Sequence, residues 1–400
     1  MKTILITLTV ATSSWLAAGA ASAQDEPLPQ EVAQAYLAYE AAVEEQEYAA
    51  ALAAAETAWR EAEAARVDNA ITGTLAVNYG ALALRMGEFS IAHEALREAA
   101  RLGDRSRETA VERADRWYLA SMAAYANEDI RDARSCARRA VRALRDAEDA
   151  PPLLSGNAHY MSARMSAISG RFSNIGENAR TAIEAYENAP GAPRHSLADA
   201  YYLSGIDHFF WGERSEAAIA FHRSALIWSE IDMTSEAFRS ARIWTRMTVR
   251  ELGAEEGEVV SARIREIGMP ESWGPAPASA TEDGPTDAYD VDAQPSYRAD
   301  PEYPINAAYA NVGGVVYVGF DVDERGRTEN VEVIISAPQG IFDDAALDAV
   351  RSWRYEPAIL DGEPVVRHGI ETRFDFTMCP YPSRRACDTW AREEMADEED

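Results

Sequence analysis

Positive charge is scarce in this chain. Against 67 Asp and Glu stand 38 Lys and Arg, a formal net charge of −29 with a pI near 4.6. Such a surface opposes nucleic acid and anionic lipid and suits solubility or basic partners; no nucleic-acid partner is expected. Cysteine is scarcer still, with three in 400 residues. Cys136 stands alone in a helix-like stretch, and only Cys379 and Cys387 lie near each other, with no His or further Cys beside them to complete a metal set. The six histidines, His93, His159, His195, His208, His222 and His368, are scattered, and none belongs to a ligand motif such as His-Glu-x-x-His. Missing too are a Gly-x-Ser-x-Gly elbow, a phosphate-cradling glycine loop and a Cys-His pair on a recognisable scaffold. Asp207 and His208 are adjacent in a helical stretch, so they point to different faces rather than forming a dyad. Acidic pairs discriminate nothing among so many carboxylates. The chain reads as non-enzymatic, with no metal and no cofactor.

Long apolar runs are also missing, except at the start. Met1-Lys2 precedes the run Ile4 to Ala20, which ends in Ala21-Ser22-Ala23 before Gln24-Asp25-Glu26. A positive start, an apolar stretch and a small-x-small site describe a secretory signal peptide, residues 1–23, cleaved after Ala23. The rival is an uncleaved inner-membrane anchor facing the periplasm, the one case in which this chain would contact a membrane. Against it, the run holds Thr7, Thr9, Thr12, Ser13 and Ser14 and only marginally reaches spanning length. In an exported chain Cys379 and Cys387 can form a disulfide that fastens the tail. Residues 381–400 end in Glu393-Glu394 and Asp397-Glu398-Glu399-Asp400, a solvated acidic tail rather than a calcium site.

What is present is repetition. From about residue 30 to 268 the chain is rich in Ala, Glu and Arg, and one phrase recurs. It runs Glu47-Tyr48-(x)2-Ala51, Gly87-Glu88-Phe89-(x)2-Ala92, Glu128-Asp129-Ile130-(x)2-Ala133, Gly170-Arg171-Phe172-(x)2-Ile175 and Gly212-Glu213-Arg214-(x)2-Ala217. The last residues of successive phrases are 41, 41, 42 and 42 positions apart, a period that predicts stacked helical hairpins. Small residues Gly80, Ser121, Ala163 and Gly205 lie twelve positions before the anchors, and Ala58, Ala99, Ala140, Ala182 and Ser224 seven after. This pattern resembles tetratricopeptide repeats. The period exceeds their usual value of about 34, which implies longer helices or turns. The expectation is about five repeats over 30–268, closed by a capping helix near Ser235 to Leu252.

The resemblance implies a concave groove that takes a second protein or peptide. Tyr36, Tyr39, Trp59, Trp117, Tyr118, Tyr201, Tyr202, Trp228 and Trp244 are candidates to line it, although aromatics at helical spacing more often form core.

Residues 269–299 carry five prolines and two glycines among acids and read as a disordered linker. A flexible chain of that length spans about 30 Å on average.

The last compact segment, 300–380, changes period twice. In Val315 to Asp323, Val316, Val318, Phe320 and Val322 alternate with Val315, Tyr317, Gly319 and Asp321, which predicts a strand with one buried face. Asp323-Glu324-Arg325-Gly326 is turn chemistry, and Val331, Val333 and Ile335 continue as the second arm of a hairpin. Phe342, Ala345, Ala346, Ala349, Val350 and Trp353 recur at three and four residues, an amphipathic helix stopped by Pro357. Val366 to Phe376 alternates again. The order is β-β-α-β, a small α+β domain.

Tyr303-Pro304, Gly326 after the first strand and Trp353-Arg354-Tyr355-Glu356-Pro357 together resemble the C-terminal domain of the TonB family, over about 80 residues. The resemblance implies binding of an extended peptide, the plug peptide of a TonB-dependent outer-membrane receptor, by strand addition. Carried onto this chain, the site is the edge Arg367, His368, Gly369, Ile370, Glu371, Thr372 and Arg373, assisted by Asp300, Tyr303 and Pro304. Asp300 departs from the family, whose transducers carry a polar amide shortly before Tyr-Pro. The combined expectation is an exported periplasmic protein with a TPR-like solenoid and a TonB-like domain, acting in TonB-dependent transport. Its rival is a scaffold of the same parts unconnected with uptake.

Overall fold

The computed structural model describes residues 27–147, 149–268, 291–310 and 312–376. The expected signal peptide, Cys379 and Cys387, the acidic tail and residues 269–290 of the expected linker lie outside the described residues.

Twelve helices in sequence form the repeats: α1 Gln30–Glu44, α2 Tyr48–Ala64, α3 Asn69–Met86, α4 Phe89–Gly103, α5 Ala110–Ala126, α6 Ile130–Leu144, α7 Pro152–Ile168, α8 Ile175–Asn188, α9 Arg194–Phe210, α10 Arg214–Ile231, α11 Glu236–Arg250 and α12 Ala254–Ile267. The recurring phrase is the turn inside each hairpin. Gln46, Gly87, Glu128, Gly170 and Gly212 all adopt positive φ there, between 61° and 83°, the left-handed stop that satisfies the carbonyls at a helix end. The next helix opens with a bond from the N–H of Ala51, Ala92, Ala133 or Ala217 to the carbonyl four residues back, at 2.9 to 3.0 Å. A 3₁₀ turn, Phe172–Asn174, precedes α8. Gly257 N–H bonds to Gly253 O at 2.8 Å in the same way. The expected capping helix is therefore the first arm of a sixth hairpin, α11 with α12, in which Val249, Leu252, Val260 and Ile264 share one apolar cluster.

The described chain divides into two compact units, one made of the residues up to Met165 with Arg180–Ala192, the other of Ser166–Ala179 with the residues from Pro193 on. In the first, Ala58, Ala99 and Ala140 are buried, and a Cβ on Gly80 would stand 2.6 Å from Leu96; small side chains here set the helix separation. In the second, a Cβ on Gly205 would stand 2.6 Å from Phe221. Phe221 stacks on Trp244 (centroids 5.3 Å, 18°), and Phe209 meets Trp244 edge-on at 4.9 Å.

The second unit also holds the terminal domain. It comprises β1 Gln294–Tyr297, α13 Ile305–Ala310, β2 Gly314–Val322, β3 Thr328–Ala337, α14 Asp343–Ser352, β4 Arg354–Glu356, β5 Ala358–Leu360, β6 Glu363–Val365 and β7 Arg367–Phe376. The main sheet is antiparallel in the order β3-β2-β7. Val316, Val318, Phe320 and Val322 face a core with Phe342, Ala346, Val350, Trp353 and Phe376.

Three expectations are corrected here. The linker was expected to run to residue 299, but β1 pairs with β4 and Val291 bridges Ile359, so the domain begins by 291. The helix was expected to run to Pro357, but it ends at Ser352. Trp353 is extended, its indole N–H donating to Ala299 O at 2.8 Å, and Arg354–Glu356 is strand. The first strand was expected to bury one face, yet Val315 and Tyr317 on the opposite face are also buried. Trp244 and Phe209 lie edge-on to the Tyr317 ring at 5.8 and 6.5 Å. Helix α11 thus takes the face of the sheet that strand periodicity assigns to solvent.

The hairpin turn is locked by Asp323. Its carboxylate accepts from the N–H of Arg327 (2.7 Å) and Arg325 (3.0 Å) and from Arg327 Nε (2.8 Å). Burial pushes this carboxyl up, but the Arg327 and Arg325 bonds outweigh it and hold the carboxyl below its usual range. A depressed folded pKa contributes stability that is present above the unfolded value, near 3.9, and lost as pH falls through the folded one. Asp323→Asn is expected to cost about 1–3 kcal/mol at pH 7. The gap from the parent should narrow between pH 7 and pH 3; urea midpoints at the two pH values check this, and an equal gap at both would refute it.

Candidate functional site

The residues expected to form the edge, Arg367 to Arg373, lie on one strand that a bulge interrupts. Strand β7 lies at the border of its sheet, and among the described residues no strand pairs with its other side. Its register against β2 runs regularly from Phe376↔Gly314 to Ile370↔Phe320 and then shifts before Arg367↔Val322. At the shift Gly369 takes φ +71°, its N–H donates to Asp321 Oδ1 at 2.9 Å, and His368 lies 3.1 Å from Asp321 Oδ2. Burial raises the Asp321 carboxyl, but Asn330, the Gly369 N–H and His368 together bring it below its ordinary value. Arg367 is held by Asp292 at 2.8 Å. Of the seven residues expected to form the edge, Arg367, His368 and Gly369 are therefore engaged in a bulge, and Ile370, Glu371, Thr372 and Arg373 lie on regular strand continuing to Phe376. In an antiparallel pair alternate residues turn both N–H and C=O away from the partner strand; along 370–376 these outward groups pair with no strand among the described residues.

Tyr303 and Pro304 do not lie along that edge. The Tyr303 ring packs edge-on against Phe342 (5.5 Å) and Phe376 (5.9 Å), and its hydroxyl donates to Val312 O. Pro304 O accepts from Ala308 N–H at the start of α13. Asp300 is exposed, next to the carbonyl of Ala299 that holds Trp353. The segment before Tyr303 pairs with β4, so Tyr-Pro anchors the core and supports β7 only through Phe376. Trp353 and Tyr355 are likewise core residues. Both meet the Phe320 ring at 5.8 Å, and Arg298 lies over both, its Nη2 donating to Tyr355 Oη at 2.7 Å.

The face of β7 that carries Glu371 and Arg373 meets residues that sequence reasoning did not single out. Glu371 pairs with Arg250 at 2.5 Å and lies 3.9 Å from Arg246, both on α11. Glu251, at the end of α11, accepts from Arg214 (2.7 Å), Arg373 (2.9 Å) and the Tyr317 hydroxyl. Burial first and Glu251 second push the Tyr317 hydroxyl far above its usual range, so it stays protonated and donates. The only sequence signal for this surface was two apolar residues, Val315 and Tyr317, on the wrong side of an alternating strand.

In the repeats, Trp59, Trp117, Tyr201 and Trp244 are buried core, while Tyr36, Tyr39, Tyr118, Tyr202 and Trp228 are half-buried. Arg164 lies over Tyr125 at 4.8 Å and Tyr160 at 5.8 Å and bonds both hydroxyls at 3.0 Å, a polar clip that the sequence did not reveal. His93 bonds Asp132 (2.8 Å) and Asn127 (3.2 Å), tying α4 to α6, and Arg97 reaches Asp132 at 2.7 Å. Burial above all, then Asp132, pushes the neighbouring Cys136 thiol up to about 12, so this cluster lacks a thiolate nucleophile. Asp207 accepts from Gly176 N–H at 2.9 Å, whereas His208 turns to Glu213.

Residues 299–378 match the family model described as the Gram-negative bacterial TonB protein C-terminal. Protein TonB of Escherichia coli K12 is 40% identical over 60 residues, 15% of this chain and 25% of that protein. The chain thus spans about a quarter of the length of the curated relatives it matches first. The solution structure of the Pseudomonas aeruginosa TonB C-terminal domain is 30% identical with a TM-score of 0.21, covering 23% of this chain and 92% of that one. A kinesin light chain of Podosopora anserina with nearly identical TPR-like repeats is 13% identical with a TM-score of 0.34, covering 49% of this chain and 92% of that one. Residues 299–378 thus resemble the TonB C-terminal domain, and they follow helical repeats that resemble TPR repeats.

Proposed function

We propose that this is a periplasmic protein of the TonB family that binds extended peptides of outer-membrane transporters by strand addition to β7 and takes part in TonB-dependent transport. The observation that carries the reading is the border position of β7, with one side unpaired among the described residues, inside a domain that matches the TonB C-terminal family. Strand addition needs only outward N–H and C=O groups. It therefore suits a site where the side chains of Ile370 and Phe374 are committed to the core. The repeats supply a second binding surface for protein or peptide, with the Tyr125–Arg164–Tyr160 clip as its polar element. The chain is non-enzymatic in this reading and reaches the periplasm through cleavage after Ala23; a mature N-terminus at Gln24 in the periplasmic fraction is the expected result.

The test uses the antiparallel alternation. Of the adjacent residues Ile370 and Glu371, one points its N–H out and the other into the ladder with β2. Proline at the outward position should abolish capture of transporter plug peptides and leave thermal unfolding within a few degrees of the parent, since edge strands tolerate proline. No capture by the parent chain, or capture unaffected in both Ile370→Pro and Glu371→Pro, overturns the reading.

A second reading, a periplasmic scaffold unconnected with uptake, draws on the burial of Tyr317 against Trp244 and Glu251. That packing ties the domain to the last repeats. Uptake of a transporter-dependent nutrient, intact in a cell whose copy fails peptide capture, would favour it.

A further inference from the structure

We propose that Arg246 and Arg250 of the last repeat hairpin form the specificity-determining part of the β7 site, selecting extended peptides with a carboxylate opposite Glu371. The inference rests on the reading that peptides add to β7, and it assigns a role to a helix outside the TonB-like domain.

Helix α11 inverts the charge of its surroundings. In a chain of net charge −29 it carries four arginines, Arg239, Arg242, Arg246 and Arg250, and one acid, Glu236. Successive arginines are three, four and four residues apart, which places them on one helix face, and all four are exposed. The C-terminal end of this row reaches β7. Two guanidinium groups meet one carboxylate there: Arg250 Nη1 stands 2.5 Å from Glu371 Oε2, and Arg246 Nη2 only 3.9 Å from Oε1. A guanidinium has five N–H donors in a fixed fork. Arg246 places Nη2 at 4.0 Å from Met247 Sδ, beyond a strong bond, and its side chain is 51% exposed. Its Nη2 thus approaches Glu371 at more than hydrogen-bond distance. The neighbouring charges are already matched, since Arg373 is held by Glu251 and Asp375 and Arg214 by Glu251. The unmatched positive charge of the cluster resides on Arg246.

An added strand completes this arrangement. Its residue directly across from Glu371, on the same face, would have its Cβ about 4.5–5.5 Å from that of Glu371. That is within reach of the Arg246 and Arg250 heads. A carboxylate at that place accepts a charge-assisted bond from Arg246, which a neutral amide receives only weakly. Arginine rather than lysine suits the task, because its planar fork can hold two carboxylates at once. Apart from Lys2, every Lys or Arg in this chain is arginine.

The experiment measures fluorescence anisotropy of two labelled nine-residue peptides of alternating threonine and valine, one with Asp and one with Asn at its central threonine positions, against the full chain. The Asp peptide is expected to bind about fivefold to tenfold tighter at low salt, with the advantage shrinking in 0.5 M salt. Arg246→Gln should remove that advantage while weakening the Asn peptide at most about twofold, whereas Arg246→Lys should retain part of it. Equal affinities of the two peptides for the parent chain overturn the inference while leaving strand addition standing. An equal loss for both peptides in Arg246→Gln overturns it too, because it marks a structural role. Binding of neither peptide overturns this inference together with the reading beneath it.

Discussion

Gly326→Ala is expected to unfold the terminal domain at physiological temperature. Gly326 sits in the β2–β3 turn at φ +75°, and a Cβ there would lie 1.8 Å from the carbonyl oxygen and 2.8 Å from the carbonyl carbon of Tyr355. The obstructing atoms are backbone, so no rotamer change relieves them. The left-handed conformation alone costs a non-glycine residue about 1–2 kcal/mol. Moving the turn away breaks the bond from Tyr355 N–H to Gly326 O at 2.8 Å and the bridge between Arg327 and Arg354. Losing a buried bond adds roughly 1–3 kcal/mol, and together these approach the 5–15 kcal/mol that holds a whole domain folded. Gly362→Ala is the matched control: Gly362 has φ +80°, but nothing lies within 4 Å of its Cβ position. It should cost only the left-handed conformation, about 1–2 kcal/mol. Trp353 reports the outcome, since its buried indole emission should shift red in Gly326→Ala and stay unchanged in Gly362→Ala. Similar urea midpoints for the two variants would refute the argument.

Trp244→Ala should separate the terminal domain from the repeats. Trp244 is fully buried, stacked on Phe221 and edge-on to Phe209 and Tyr317. Removing a buried tryptophan costs about 3–5 kcal/mol. Here the loss falls on α9, α10 and α11 as well as on the sheet face at Tyr317. The parent should therefore unfold residues 193–376 as one cooperative step. The variant should show two transitions in calorimetry, with proteolysis appearing first in the helices. The idea fails if the variant keeps a single coincident transition within a few degrees of the parent.

Sequence reading reached furthest where a local rule dictates the structure. The recurring phrase marked five hairpin turns because each needs a left-handed residue followed by a helix start, and Ala51, Ala92, Ala133 and Ala217 make that first bond as spaced. The sixth turn escaped because Gly253-Ala254-Glu255-Glu256-Gly257 has the spacing, but Gly253 stands where the other phrases carry a charged residue. Strands β2, β3 and β7 were legible from alternation. The pairing of β1 with β4 was not, since strands of four and three residues, the first containing Pro295 and the second followed by Pro357, carry no measurable period. Trp353-Arg354-Tyr355 looked like a helix end because Trp353 continues the apolar spacing. Its bond to Ala299, 54 residues away, decides otherwise. Of the candidate site, the border strand was legible, while the bulge at Gly369 and the contacts of Arg246, Arg250 and Glu251 with the sheet were not. Those depend on what packs against the sheet, which no local pattern records.

Genetic dissection of this protein inherits a difficulty from Trp244 and Tyr317. Cutting the chain before Val291 would strip Tyr317 from Trp244 and Phe209, and take two of the three partners from Glu251. An aromatic surface left bare in this way invites self-association. A truncated strain could then lose function through damaged repeats rather than through a missing peptide edge. Single replacements on the outward side of β7 leave that surface covered, and their phenotypes report on the edge alone.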